Sequence, residues 1–246
     1  GKLLGYRLAT AKVDVKAALD RCSHLVALIR LHQDQPGIAA KELDELKRLW
    51  EEHGYHTRLF HVRLAQVGVD LYQGNAAQAW EQVAAFPSIG PLDRLLHVVQ
   101  QLRVELRQLH GRSALAAAAQ VQVQAPGSPP NRGLLRQALQ DARSLRGENL
   151  PWAEGYSLLI RAGITALRGN RAAAIRGLRA ACDAFDKCQM PLQARCCQYR
   201  AAQGAAHGDE ISSSELKEVR DWLLGEGIEN PEKMVQMFVP YRIPCP

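Results

Sequence analysis

Aromatic side chains are scarce in this sequence, only 6% of 246 residues, and valine and isoleucine are too few to build a β-sandwich. Long apolar runs are missing as well. The nearest candidate for a membrane span, Ser113–Gln120 (SALAAAAQ), is far shorter than the ~18 residues that a spanning helix needs. The opening GKLLGYRLATAKVD has neither the apolar core nor the small-residue cleavage site of a secretion signal. The chain therefore reads as cytoplasmic and as a piece of a longer protein. The Gly-rich phosphate loops GxGxxG and GxxxxGK[ST], the zinc-protease HEXXH and the nucleophile elbow GxSxG are all absent. No catalytic residue, cofactor or metal is expected, and the chain is not read as an enzyme.

What is present is alanine, leucine and arginine. A hydrophobic share of 47% can fill a sizeable core, and tapering side chains such as Ala and Leu suit closely packed helices. The expected fold class is all-α. The six cysteines (Cys22, Cys182, Cys188, Cys196, Cys197, Cys245) show no disulfide framework, and their spacing does not fit the paired CxxC of a zinc site. Cys182 falls on an apolar helical stripe, where a thiol behaves as a small hydrophobe. His53, His56 and His61 (HGYHTRLFH) straddle a probable helix junction where no carboxylate or thiol completes a metal set, and read as capping or surface residues. Trp50, Trp80, Trp152 and Trp222 stand at helix ends, where packing between helices accounts for them.

A recurring phrase organises the chain. An apolar helix ends in Gly plus a small polar residue, and an Ala-rich helix follows at once: LYQGNAAQAW (Leu71–Trp80), LHGRSALAAA (Leu109–Ala118) and LRGNRAAAIR (Leu167–Arg176), with a degenerate copy at AAHGDEISSSEL (Ala205–Leu216). Glycine takes the left-handed conformation that closes one helix, and Asn, Asp or Ser caps the next. The predicted turns are Gly74, Gly111, Gly169 and Gly208. The first and last intervals suit helix-pair repeats, and the long middle one holds an extra helix and a Pro-rich loop over 124–133. Helices are expected at about 2–33, 38–52, 56–73, 75–86, 90–110, 112–124, 132–146, 152–168, 171–188, 191–207, 212–225 and 231–238. We read these as one helical-repeat domain over 1–246, a TPR-like solenoid of antiparallel helix pairs. Its parts are less regular helices over 1–55, the array over 56–210, and capping helices over 211–246 that seal the open end.

Charge is unevenly spread. The net +6 divides into 12 basic against 11 acidic residues over 1–99, 15 against 6 over 100–207, and 4 against 8 over 208–246. In the middle block every basic residue but Lys187 is arginine. Arg132, Arg136, Arg143 and Arg146 fall within one narrow arc of a helix, and Arg161 and Arg168 follow in the next. Such a stripe reads either as the ordinary charge of an exposed helix face or as a contact surface for an acidic or phosphorylated protein segment. Nucleic acid or another polyanion is the alternative partner, weakened by the lack of aromatic platforms beside these arginines.

The last third carries a more particular pattern: the PWA entry (Pro151–Ala153), the turn LRGNRAAAIRGLRAA (Leu167–Ala181), the break FDKCQMPL (Phe185–Leu192) and the ending WLLGEGIENPEKMVQM (Trp222–Met237). These resemble the C-terminal region of large multi-domain bacterial serine/threonine protein kinases, where a TPR-like helical array follows the kinase domain. Leu64–Val83 is similar to the amino-terminal part of that array, so the resemblance covers roughly two-thirds of the chain, and 1–55 adds little to it. It implies a regulatory or substrate-recruiting appendage that acts as a protein-interaction scaffold in signal transduction. The kinase signature residues are absent, so no catalytic role carries over.

Overall fold

The computed structural model describes residues 23–53, 56–86, 98–125, 127–205 and 210–243, and among them there are helices and turns but no strand. The helices are α1 (Ser23–His32), α2 (Pro36–His53), α3 (His56–Gln73), α4 (Ala76–Ala84), α5 (Gln100–Gln124), α6 (Arg132–Gly147), α7 (Pro151–Leu167), α8 (Arg171–Lys187), α9 (Pro191–Ala205), α10 (Glu210–Gly225) and α11 (Pro231–Phe238). Proline opens α2, α7, α9 and α11, at the position where a missing N–H costs nothing and the fixed φ is already helical.

The turn glycines behave differently from one another. Gly74 and Gly169 take φ of 83° and 82°, and α4 and α8 begin two residues later, as the repeat phrase predicts. Asn170 caps α8 by accepting from the Ala173 N–H at 3.1 Å, whereas the Asn75 amide turns back to Asp70 and Gln73 and caps nothing. Gly111 is a correction: no turn forms there, and α5 runs unbroken through it. Its lack of a side chain serves packing instead, because a Cβ at that position would come within 2.7 Å of Ile160 Cδ1 on α7. The expected Gly208 turn and the segment around 90–97 lie outside the described residues. The two turns expected ahead of Pro151 and Pro191 use non-glycine residues in the left-handed region, Asn149 at 55° and Gln189 at 56°. With them, the left-handed positions Gly127, Asn149, Gly169 and Gln189 follow one another at intervals of 22, 20 and 20 residues, one helix and one turn each.

Packing follows that rhythm. From α1 to α10 each helix packs on the next described one, and α1 also touches α3, α3 touches α5, and α5 touches α7. Helices α1, α3, α5 and α7 thus form a continuous row. Burial is deepest in that row: α5 is buried without interruption from Gly111 to Ala118, and α7 from Ala162 to Ile164. A helix enclosed on several sides loses the one-sided stripe of a surface helix, which is why its small residues look featureless in sequence.

The C-terminal segment departs from the expected end cap. Beyond touching α10, α11 packs on α3 and α9, and the chain after it bends at Val239 and Tyr241, with Tyr241 set against α7 and Ile243 against α9. Pro231, Met234, Val235, Met237, Phe238, Val239, Tyr241 and Ile243 are all buried. The Tyr241 hydroxyl donates to the Leu159 carbonyl at 2.9 Å. A Cβ on Gly163 would meet the Tyr241 ring at 2.5 Å, and one on Gly204 would meet Ile243 Cδ1 at the same distance. The physical reason is apolar area: an eight-residue helix with five buried residues covers more of the row by lying across it than by closing one end. The segment is tied down at the far side as well. The Glu229 N–H donates to the His32 carbonyl at 2.8 Å, while the Asp34 carboxylate accepts from Asn230 Nδ2 at 3.1 Å, Lys233 Nζ at 3.0 Å and the Tyr72 hydroxyl at 3.0 Å. Burial raises the pKa of Asp34, but these donors outweigh it and hold the carboxyl below the ordinary 3.8.

Candidate interaction surfaces

The six arginines singled out in the sequence, Arg132, Arg136, Arg143, Arg146, Arg161 and Arg168, are all exposed. The first four lie along one face of α6, Arg161 lies on α7 and Arg168 caps its C-terminal end, and the two helices pack on each other. Three of them meet at one cavity of about 430 Å³, lined by Pro129, Pro130, Arg132, Leu135, Arg136, Leu139 and Arg168. Arg146 and Arg161 share a second, of about 320 Å³, with Glu154, Leu158 and Thr165 of α7 and the edge of α8. Arg143 lines neither. Because Arg132 and Arg136 approach Arg168 while Arg146 approaches Arg161, the helices run antiparallel and the six guanidinium groups follow one seam.

These arginines lack counter-ions. None of the six forms an ion pair with a described acidic residue, while neighbouring arginines do: Arg103 with Glu148 at 2.8 Å, Arg179 with Glu215 at 3.6 Å and Arg195 with Asp186 at 3.7 Å. Asn131, the cap of α6, spends its side chain on the Gly133 and Leu134 N–H groups, which fixes Arg132 and Arg136 at the mouth of the first cavity. No aromatic side chain lines either cavity.

Two further arginines of the same basic block are buried under the C-terminal segment. Arg112 on α5 and Arg200 on α9 are 4% and 2% exposed. Arg112 Nη1 donates to the Met237 carbonyl at 3.0 Å, and its guanidinium lies near the rings of Tyr156 and Phe238. Arg200 donates to the Gln203 side chain at 2.6 Å and the Val239 carbonyl at 3.3 Å, with Glu232 3.7 Å away. The Nε of each has no hydrogen-bond partner among the described residues, and burial draws both guanidinium groups below their ordinary pKa. They hold two main-chain carbonyls of one strand of polypeptide, two residues apart. A cavity of about 390 Å³ remains beside that strand, walled by Leu71, Ala116, Val123, Leu167, Arg200 and Tyr241. The signal for this arrangement was the apolar run after Asn230, read only as a closing helix.

No family model, curated protein or solved structure matches the chain. Chemistry elsewhere is conservative. Burial pushes the Cys182 thiol up to about 11 and raises Cys196 and Cys197 further, so all three stay protonated and unreactive at neutral pH. Among the described residues no group of three His, Cys, Asp or Glu side chains could hold a metal ion. His61 lies 3.4 Å from Glu105; the side chains of His53 and His56, and Cys22 and Cys245, fall outside the described residues. The fully buried Asp141 accepts from Arg107 at 3.2 Å and pairs with His110 Nδ1 at 2.6 Å, tying α5 to α6; His110 itself packs on Trp80. Among the described residues no helix is long and apolar enough to cross a membrane.

Proposed function

We propose that this chain is a non-catalytic protein-interaction module whose partner docks an acidic segment along the α6–α7 seam. The observation that carries this reading is the convergence of Arg132, Arg136 and Arg168 on one cavity, with no carboxylate in its lining. Exposed arginines without counter-ions leave their fork-shaped donors free for carboxylate or phosphate, each pair adding geometry as well as charge. An interaction role also fits a TPR-like array, which the alternating row α1, α3, α5 and α7 and the turns at intervals near 20 residues support. The C-terminal segment covers part of the inner row, while the six seam arginines stay exposed. The likeness of the last third to bacterial serine/threonine kinase tails supports, in this reading, a regulatory or substrate-recruiting array in a kinase. An upstream reading frame with the HRD and DFG signatures tests that context.

The test of the module itself is binding of a fluorescent polyglutamate peptide to the full chain, with and without Arg136, Arg143 and Arg146 reversed to Glu. The expected result is salt-sensitive binding that the triple reversal abolishes. Unchanged binding would remove the seam. A single-stranded oligonucleotide of random sequence serves as competitor: if it binds as tightly as the acidic peptide, the partner is a general polyanion instead. The absence of stacking rings around both cavities argues against that outcome.

A further inference from the structure

The two cavities of the seam differ in charge. The first brings together Arg132, Arg136 and Arg168 with no acid in its lining. In the second, Glu154 stands beside Arg146 and Arg161, leaving one net positive charge. A site with three guanidinium groups matches a dianion, because a phosphate presents three acceptor oxygens and nearly two negative charges. A site with a net single charge matches one carboxylate. The first cavity also has an apolar side, formed by Pro129, Pro130, Leu135 and Leu139, which accepts an uncharged residue flanking the dianion.

Helical rise sets the distance between them. Arg136 and Arg146 are ten residues apart on α6, about 15 Å, and Arg161 is seven residues before Arg168, the cap that ends α7, about 10 Å, at a rise of ~1.5 Å per residue. An extended polypeptide advances ~3.3 Å per residue, so it spans that gap in about three to five residues.

Resting on the reading of the seam as a docking surface for an acidic segment, we propose that its ligand is an extended, phosphorylated polypeptide. Its phosphoserine or phosphothreonine sits among Arg132, Arg136 and Arg168, and a carboxylate about four residues away sits between Arg146 and Arg161. Glu154 sets the polarity by making the second cavity too weakly positive for the dianion.

The experiment uses the full chain and labelled peptides carrying one phosphothreonine and one glutamate, separated by one, four or nine residues. Anisotropy titrations are expected to give affinity about tenfold higher at the separation of four than at one or nine, the worth of one additional charge-assisted hydrogen bond. Arg161→Gln is expected to erase that preference while leaving phosphate-dependent binding. Arg168→Gln is expected to weaken all three peptides alike, and Glu154→Gln to let a second phosphothreonine replace the glutamate. These positions are exposed or half-buried, and circular dichroism confirms that each variant is folded. Equal affinity at every separation would overturn the two-point site while the acidic-segment reading stands. Equal binding when glutamate replaces phosphothreonine would overturn the dianion assignment. Failure of every acidic peptide would overturn both.

Discussion

Arginine serves two opposite purposes in this chain. On the α6–α7 seam six guanidinium groups face solvent and pair with no described acidic residue, and their charge is screened by water and salt. Under the C-terminal segment Arg112 and Arg200 are almost wholly buried, and they spend their donors on carbonyl oxygens of Met237 and Val239. The seam arginines cost little to expose and offer unused donors. The buried pair cost much to desolvate and act as internal ties, because a guanidinium can satisfy main-chain carbonyls that have left a helix. Sequence composition counts all eight as one basic block; only burial separates them.

The largest effects are expected at the inner face. Tyr241→Ala removes a buried ring and its hydrogen bond to Leu159, and is expected to cost about 3–5 kcal/mol in chemical unfolding. An effect near zero would mean that the C-terminal segment contributes nothing to the core. Gly204→Val tests the same packing from the opposite wall. Overpacking against Ile243 is expected to cost about 1–3 kcal/mol and to lower the melting temperature.

A smaller effect is expected at the tie between the segment and the α1–α2 turn. Asp34→Asn weakens three hydrogen bonds and should cost about 1 kcal/mol near neutral pH. The sign of its pH dependence follows from the direction of the shift. The folded carboxyl titrates below the ordinary 3.8, so its contribution is complete above that value and is lost as pH falls through it. Parallel unfolding curves of the parent and the variant should therefore converge in acid, and a gap that widens there would contradict the assignment. The smallest change belongs to the seam. Arg136→Glu is expected to shift stability by no more than about 0.5 kcal/mol while abolishing binding of an acidic peptide. A larger loss of stability would show that the seam is structural after all.

Much of the fold was legible because helix punctuation is local. Gly74, Gly169, Asn170 and the opening prolines each act within a turn of their own position, and the sequence displays them directly. Gly111 misled because the same residue that permits a left-handed turn also permits close helix packing, and only the neighbouring Ile160 decides between them. At Asn149 and Gln189 the following prolines, Pro151 and Pro191, announced the break, while the left-handed residue itself carries no glycine to mark it. For the candidate site, helical periodicity placed Arg132, Arg136, Arg143 and Arg146 on one face. It could not show which of them share a cavity with Arg161 or Arg168, since that depends on the register between helices. The C-terminal segment was least legible, because its partners are distributed over residues from 32 to 204.

The tie at Asp34 also bears on how the chain acquires its structure. Lys233 and Asp34 are separated by 199 positions. A row of stacked repeats with two open ends can fray one unit at a time, since each unit answers only to its neighbours. Joining the last helix to the first turn removes that freedom, so the early helices and the late ones melt together. During synthesis the order is equally constrained: α1 and α3 emerge long before α11, and the face that α11 covers stays bare until α11 follows.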